Sequence, residues 1–201
     1  FYKPLCNGID ISIQSATKYI VGHSDAMLGI ITTNKKYTKS IRESAHNMGS
    51  CPGPEDIYLG IRGLKTLSIR LQKHQENAFK VIEWLKTRQE VDKILYPALP
   101  DNAGHKIWKR DFLGATGLFS LTLKGTKKSL INKMLNKLKL FNIGYSWGGY
   151  ESLILPIEPE KLRDTYEWKN DGGTLRIHVG LEDPDDLIND LKENINILRG
   201  I

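Results

Sequence analysis

Cysteine is nearly absent: Cys6 and Cys51 are the only two among 201 residues, and no C-x-x-C spacing or His/Cys cluster accompanies them. That excludes a disulfide-stapled scaffold and a thiolate metal site, so no metal is expected, and a reduced, cytoplasmic chain is. No apolar run approaches the roughly 20 residues that cross a bilayer, and no stretch reads as a secretion signal, so no membrane partner is expected. Charge of one sign is not gathered into a block either. The formal net charge is +6, with the lysines dispersed among acids. The densest basic run, residues 124–139, has the spacing of a helix's wet face and lacks the interleaved aromatics of a nucleic-acid surface. Internal repeats and low-complexity segments are missing as well. The remaining composition, 40% apolar and 26% charged, is that of a globular chain able to build one large core or two small ones. The opening Phe1-Tyr2-Lys3-Pro4 carries no initiator Met, which predicts a piece of a longer polypeptide.

Ile9, Ile11 and Ile13 alternate with Asp10, Ser12 and Gln14, the pattern of a strand with one buried face. Residues 26–33 are apolar and β-branched enough for a second strand. Ile41, Ala45 and Met48 predict a surface helix over 35–48, which the Gly/Pro-rich 49–54 ends. Residues 55–87 read as a long helix with Ile57, Ile61, Leu64, Leu67, Leu71, Ala78, Ile82 and Leu85 on its core stripe. Gly60 and Gly63 weaken it, each by roughly 1 kcal/mol relative to Ala, so a break and a domain boundary are expected near Gly63.

Beyond it, residues 93–96 predict a short strand, 105–109 a helical turn, and 117–123 a strand burying Phe119, Leu121 and Leu123. Residues 127–141 predict an amphipathic helix with Leu130, Met134, Leu135 and Leu138 on its dry side. In 174–180 Leu175, Ile177 and Val179 share one face, leaving Thr174, Arg176 and His178 on the other. Asp183 followed by Pro184, Asp185 and Asp186 marks the start of a last helix with Leu187, Leu191, Ile195 and Leu198 inward. Strands alternating with helices predict an α/β or α+β second domain.

Chemistry concentrates where the first alternation stops. Ser15-Ala16-Thr17-Lys18-Tyr19 puts one amine after two hydroxyl residues at a strand end, where α/β proteins place their sites. Such an amine can act as a nucleophile toward an aldehyde, and the hydroxyls suit a phosphate. A solvated lysine beside ordinary loop hydroxyls accounts for the same residues.

Five segments widen the choice into a resemblance: S-A-T-K-Y-x-x-G-H-S-D at 15–25, Y-P-A-L-P at 96–100, W-K-R-D-F-x-G-x-x-G-L-F-S at 108–120, Y-S-W-G-G-Y-E-S-L at 145–153 and R-I-H-V-G-L-E-D at 176–183. With them the chain resembles, over residues 8–191, the Cys/Met-metabolism family of pyridoxal-phosphate (PLP) enzymes, and within it the cystathionine β-lyases. The resemblance implies the α/β PLP-dependent transferase fold of type I. Residues 1–63 would be the end of the large cofactor domain and 64–201 the smaller C-terminal α/β domain, about half of the polypeptide lying outside this chain. It implies that Lys18 binds PLP as a Schiff base and moves protons, and that Ser15 and Thr17 hold the cofactor phosphate. Arg176 would grip the substrate α-carboxylate, Ser146 would lie beside the lysine, Trp147 would line the substrate pocket, and Tyr145 would complete a catalytic wall. Tyr145-Ser146-Trp147 favours α,β-elimination of L-cystathionine to homocysteine, pyruvate and ammonia, because the γ-type relatives carry a smaller residue at the Trp147 position. A γ-elimination relative and a catalytically incomplete structural subunit are the alternatives. The implied partners are a small sulfur amino acid, the missing N-terminal half, and further copies in a homotetramer built from dimers. His23 with Asp25, Glu151 and Arg110 read as structural, while Tyr58, Arg62 and His178 carry no assignment.

Overall fold

The structure, a computed structural model, describes residues 1–161, 168 and 170–200. Strands β1 (Ile11–Ser15) and β2 (Gly29–Thr33) pair antiparallel, Ile13 opposite Ile31 and Ser15 opposite Gly29. The expected period-2 strand is there, but its apolar face is not buried. Ile13 is 76% exposed and Ile31 is exposed beside it. Two strands have no third neighbour among the described residues and hide no face. Helix α1 (Lys35–Asn47) follows and buries nothing, as a surface helix should.

Helix α2 (Pro54–Lys86) opens with proline in its first turn and Glu55 and Asp56 at the positive dipole end. It then runs unbroken for 33 residues, through both Gly60 and Gly63, correcting the expected break. The stripe is corrected with it. Ile57, Ile61 and Leu64 are exposed, and the inward line is Gly60, Gly63, Arg70, His74, Asn77, Ala78, Val81, Ile82 and Leu85. The helix is polar inside along its middle and apolar only in its last third.

That last third packs on a five-stranded sheet of β3 (Val91–Leu95), β4 (Leu118–Leu123), β5 (Asn142–Ile143), β6 (Leu153–Ile157) and β7 (Thr174–His178), in the order β3-β4-β7-β6-β5. Every pairing is antiparallel except β5 with β6. Helices α3 (His105–Asp111), α4 (Lys128–Leu135) and α5 (Pro184–Asn194) complete the unit. Phe119, Leu121, Leu123, Leu175, Ile177 and Val179 meet Ile131, Met134, Leu187 and Leu191 in one core. The expected 127–141 helix stops at Leu135, and Ile131 takes the place foreseen for Leu130, which is half-buried. Strand β6 was not anticipated; its proline and the aromatic run before it mask the pattern. On β7, Thr174 and His178 are buried along with the apolar residues, because both faces of this central strand are covered. Asp183 caps α5 as expected, its carboxylate accepting from Asp185 N–H at 2.8 Å. Leu198 reaches the core through a final 3-10 turn, Ile195–Arg199.

Candidate active site

β1 ends at Ser15 and the chain coils tightly behind it. Val21 N–H donates to Ala16 O and Gly22 N–H to Lys18 O, both at 2.8 Å. Thr17 closes the base of the coil: Leu28 N–H donates to its hydroxyl at 2.8 Å, and the hydroxyl donates to Leu28 O at 3.3 Å. Behind the coil lies Arg70 of α2, 6% exposed, whose guanidinium donates to Tyr19 O at 2.7 Å and Ile20 O at 3.1 Å. The two helix glycines now have a reason. A Cβ on Gly63 would stand 2.2 Å from Ile20 O, and one on Gly60 would stand 2.7 Å from Leu28 Cδ2. They let the lysine coil lie directly on the helix, and that contact outweighs their low helix propensity.

Lys18 points away from α2. Its Nζ donates to Ser146 Oγ at 2.9 Å and stands 4.6 Å from the centroid of the Trp147 ring. The Arg176 guanidinium lies 5.3 Å from the same centroid, so one indole is shared by two cations. Arg176 Nη2 also donates to Tyr145 O at 2.6 Å, and its side chain borders a 390 Å³ cavity with Leu95, Ser120, Ile157 and Thr174. Burial lowers the Arg176 pKa from its ordinary value.

The 146–148 segment is pressed onto the lysine coil through Gly148. A Cβ there would stand 2.8 Å from Tyr19 N, and Gly148 sits at φ +83°. Its N–H at 3.1 Å and Gly149 O at 3.2 Å both face His178 Nε2, which accepts from the first or donates to the second according to the tautomer. Burial first, then the neighbouring His74, lower the His178 pKa to about 4 and keep the ring neutral. His74 and His178 lie 5.1 Å apart, with Tyr19 5.6 and 6.0 Å from them, forming a buried ring cluster behind the site. His74 is itself fixed through Nδ1, 2.9 Å from Val179 O.

Four of the expected residues are thus brought together: Lys18, Ser146, Trp147 and Arg176. Tyr145 hydrogen-bonds to them only through its carbonyl, its side chain being 83% exposed and without a hydrogen bond among the described residues. The Ser15 hydroxyl is exposed at the end of β1 and has no hydrogen bond among the described residues, hence is open to a ligand, whereas Thr17 reaches an anion only by giving up its 3.3 Å bond to Leu28. His23 bonds Val21 O at 2.8 Å and does not pair with Asp25, and Arg110 pairs with its neighbour Asp111. Arg70, His74 and His178 carry the site from behind and were missed. Their signal was positional: polar residues 70, 74 and 77 continue the inward line toward Ala78, Val81 and Leu85. Among the described residues no group of three or more His, Cys, Asp or Glu could hold a metal ion.

An amine whose neighbours are a hydroxyl and an indole, with no carboxylate in ion-pair reach among the described residues, and an exposed hydroxyl three residues before it suit a phosphorylated aldehyde. Residues 1–196 match the family of Cys/Met metabolism PLP-dependent enzymes. The chain belongs to that family. Cystathionine beta-lyase MetC of Escherichia coli K12 is 48% identical over 197 residues, covering 94% of this chain and 49% of that protein. Cystathionine gamma-lyase of Mus musculus is 41% identical over 199 residues, covering 95% of this chain and 49% of that protein. A solved cystathionine gamma synthase from Xanthomonas oryzae pv. oryzae, in complex with aminoacrylate and cysteine, superposes with a TM-score of 0.87 at 30% identity, over 99% of this chain and 53% of that one. The chain spans about half the length of the curated relatives it matches. Its mixed architecture is therefore a portion of the PLP-dependent fold of type I, as the Cys/Met-metabolism resemblance implied.

Proposed function

We propose that this chain carries the lysine half of a PLP-dependent carbon–sulfur lyase that breaks L-cystathionine by α,β-elimination to homocysteine, pyruvate and ammonia. The observation that carries the reading is the meeting of Lys18 Nζ with Ser146 Oγ at 2.9 Å beneath an indole that also faces Arg176. Lys18 would hold PLP covalently and Ser15, with Thr17, its phosphate. When bound, PLP supplies an electron sink for the charge left at the substrate Cα.

The protein's part is positional and protic. Ser146 holds the Lys18 amine toward Trp147, where it takes the Cα proton and later delivers a proton to the departing sulfur. Arg176 is free on its outer side to grip an α-carboxylate through two parallel bonds, with Tyr145 O fixing its inner nitrogen. Trp147 forms the wall between amine and guanidinium and sets the width of the pocket. The name and identity of the Escherichia coli relative support the β-lyase reading.

A γ-elimination is the second reading, favoured by the Mus musculus gamma-lyase and by the Xanthomonas structure. Cystathionine supplied to the whole natural polypeptide distinguishes them: pyruvate is expected, and 2-oxobutyrate in its place would move the reading to the γ-type. Release of neither product, with PLP bound, would favour a catalytically incomplete subunit. We place the boundary between cofactor domain and smaller domain at Gly63, inside α2. We assign the assembly as a homotetramer built from dimers, and the compartment as cytoplasmic, in keeping with two free and exposed thiols. No helix among the described residues is long and apolar enough to cross a membrane.

A further inference from the structure

Arg70 is an unusual residue to bury. Its guanidinium faces no carboxylate within ion-pair distance among the described residues, only four neutral acceptors. Nη1 donates to Tyr19 O at 2.7 Å, Nη2 to Ile20 O at 3.1 Å and Gly63 O at 2.7 Å, and Nε to Thr66 Oγ1 at 3.0 Å. Burial pulls its pKa below the ordinary guanidinium value. A buried cation without a counter-ion is a costly way to hold two elements together, and an apolar side chain of the same volume would pack α2 at less expense. What an apolar side chain could not do is fix the direction of two successive peptide planes.

Those planes are the ones that follow Lys18. We propose that Arg70 is the positioning residue of the site lysine: by gripping Tyr19 O and Ile20 O it sets the direction in which the Lys18 side chain leaves its coil. The inference rests on the PLP-lyase reading above. Two close contacts make the grip selective for this geometry. A Cβ on Gly22, which sits at φ +75°, would stand 1.9 Å from Arg70 Nη1, so only glycine lets the guanidinium enter. From the opposite side Gly148 abuts Tyr19 N. The backbone after Lys18 is therefore clamped between α2 and the 146–148 segment, and the four-carbon arm alone stays free to turn. With the clamp released, a small rotation of the Tyr19 peptide plane is magnified along that arm, and Nζ leaves Ser146 Oγ.

The test uses the whole natural polypeptide that carries these residues, with Arg70→Lys, Arg70→Gln and Thr66→Val. Arg70→Lys keeps the charge but loses the fork, and Thr66→Val removes the Nε acceptor together with the 3.2 Å bond from Thr66 to Gly63 O. PLP is added to protein freed of it, and borohydride is applied at intervals to fix the label, which is mapped to its lysine. Kinetics are measured alongside. In both Arg70 variants labelling of Lys18 is expected to slow by about tenfold, and kcat to fall by about ten- to a hundredfold with KM within about twofold, the pattern of a misplaced group. Thr66→Val is expected to slow labelling by about two- to threefold. A purely structural staple would lower the yield of folded protein and leave labelling rate and kcat per folded molecule unchanged. Soluble, folded Arg70 variants with wild-type labelling and kcat would overturn the proposal. Should they not fold, wild-type labelling in Thr66→Val overturns it equally. Failure of the PLP reading is separate and appears first, as wild-type protein that takes no label on Lys18.

Discussion

Lys18 is held by its backbone, since Ala16, Val21 and Arg70 fix the coil while the amine contributes one bond to Ser146. Lys18→Ala in the whole protein is therefore expected to abolish turnover and leave the far-ultraviolet dichroism and melting temperature near wild type. A large loss of stability would move Lys18 from chemistry to structure. Arg176→Ala should cost about 2–4 kcal/mol in kcat/KM, the loss of a charge-assisted paired contact, and Arg176→Lys should recover little. Near-normal kinetics would shift the carboxylate site elsewhere. His178 gives the site a pH dependence. Its folded pKa of about 4 lies below the 6.5 of an unfolded histidine, so between those values the unfolded chain binds the extra proton. Stability should thus be complete above pH 6.5 and fall toward pH 4, by at most about 1.4 kcal/mol per pH unit for this one group. Denaturant melts at pH 5 and 7 are expected to lie closer together in His178→Asn, the remainder belonging to the neighbouring His74, whose pKa burial also lowers, and an undiminished pH difference would assign the effect elsewhere. Lys18, Ser146, Trp147 and Arg176 were legible because they stand inside spaced motifs. Arg70 stands in no motif and its only signal is its place on the inward line of α2, while His178 stands inside the 176–183 motif but meets the backbone of Gly148 and Gly149, which leaves no letter to pair it with.

At the level of elements, periodicity located nearly every helix and strand, and what it missed came from contacts across the chain. The interior of α2 is the clearest case. Its glycines signalled a break by propensity, while the lysine coil requires them for approach. Gly63→Ala sharpens the conflict: the helix gains about 1 kcal/mol in propensity, yet the new Cβ would stand 2.2 Å from Ile20 O and 2.4 Å from Val21 O. The expected result is a lower melting temperature together with weaker PLP retention, measured by dialysis against buffer. A raised melting temperature with PLP retained would mean that the coil can lift off the helix at little cost. The same logic explains α4, whose apolar letters run past Leu135 although the core closes around Ile131, Met134 and Leu135. No local pattern reports where a neighbouring element stops.

For the molecule as a whole, most of the exposed large apolar residues fall within residues 1–69. Ile13, Met27, Ile31, Ile57, Ile61 and Leu64 are exposed, while Phe1, Tyr19, Leu67, Leu71, Trp108 and Phe112 help to line a groove of about 790 Å³. Residues 1–201 expressed alone are expected to self-associate, to bind PLP weakly and to release no pyruvate from cystathionine, since patches of this size seek cover. A monodisperse, fully active 201-residue chain in gel filtration and assay would contradict this. At 33 residues α2 is about 50 Å long, and the same rod grips the lysine coil at Arg70 and the sheet core at Ala78, Val81 and Ile82. The two regions are thus mechanically continuous, with no hinge between them. Heat should melt both in one calorimetric peak, and a protease should find its cuts before Pro54, never along the spine.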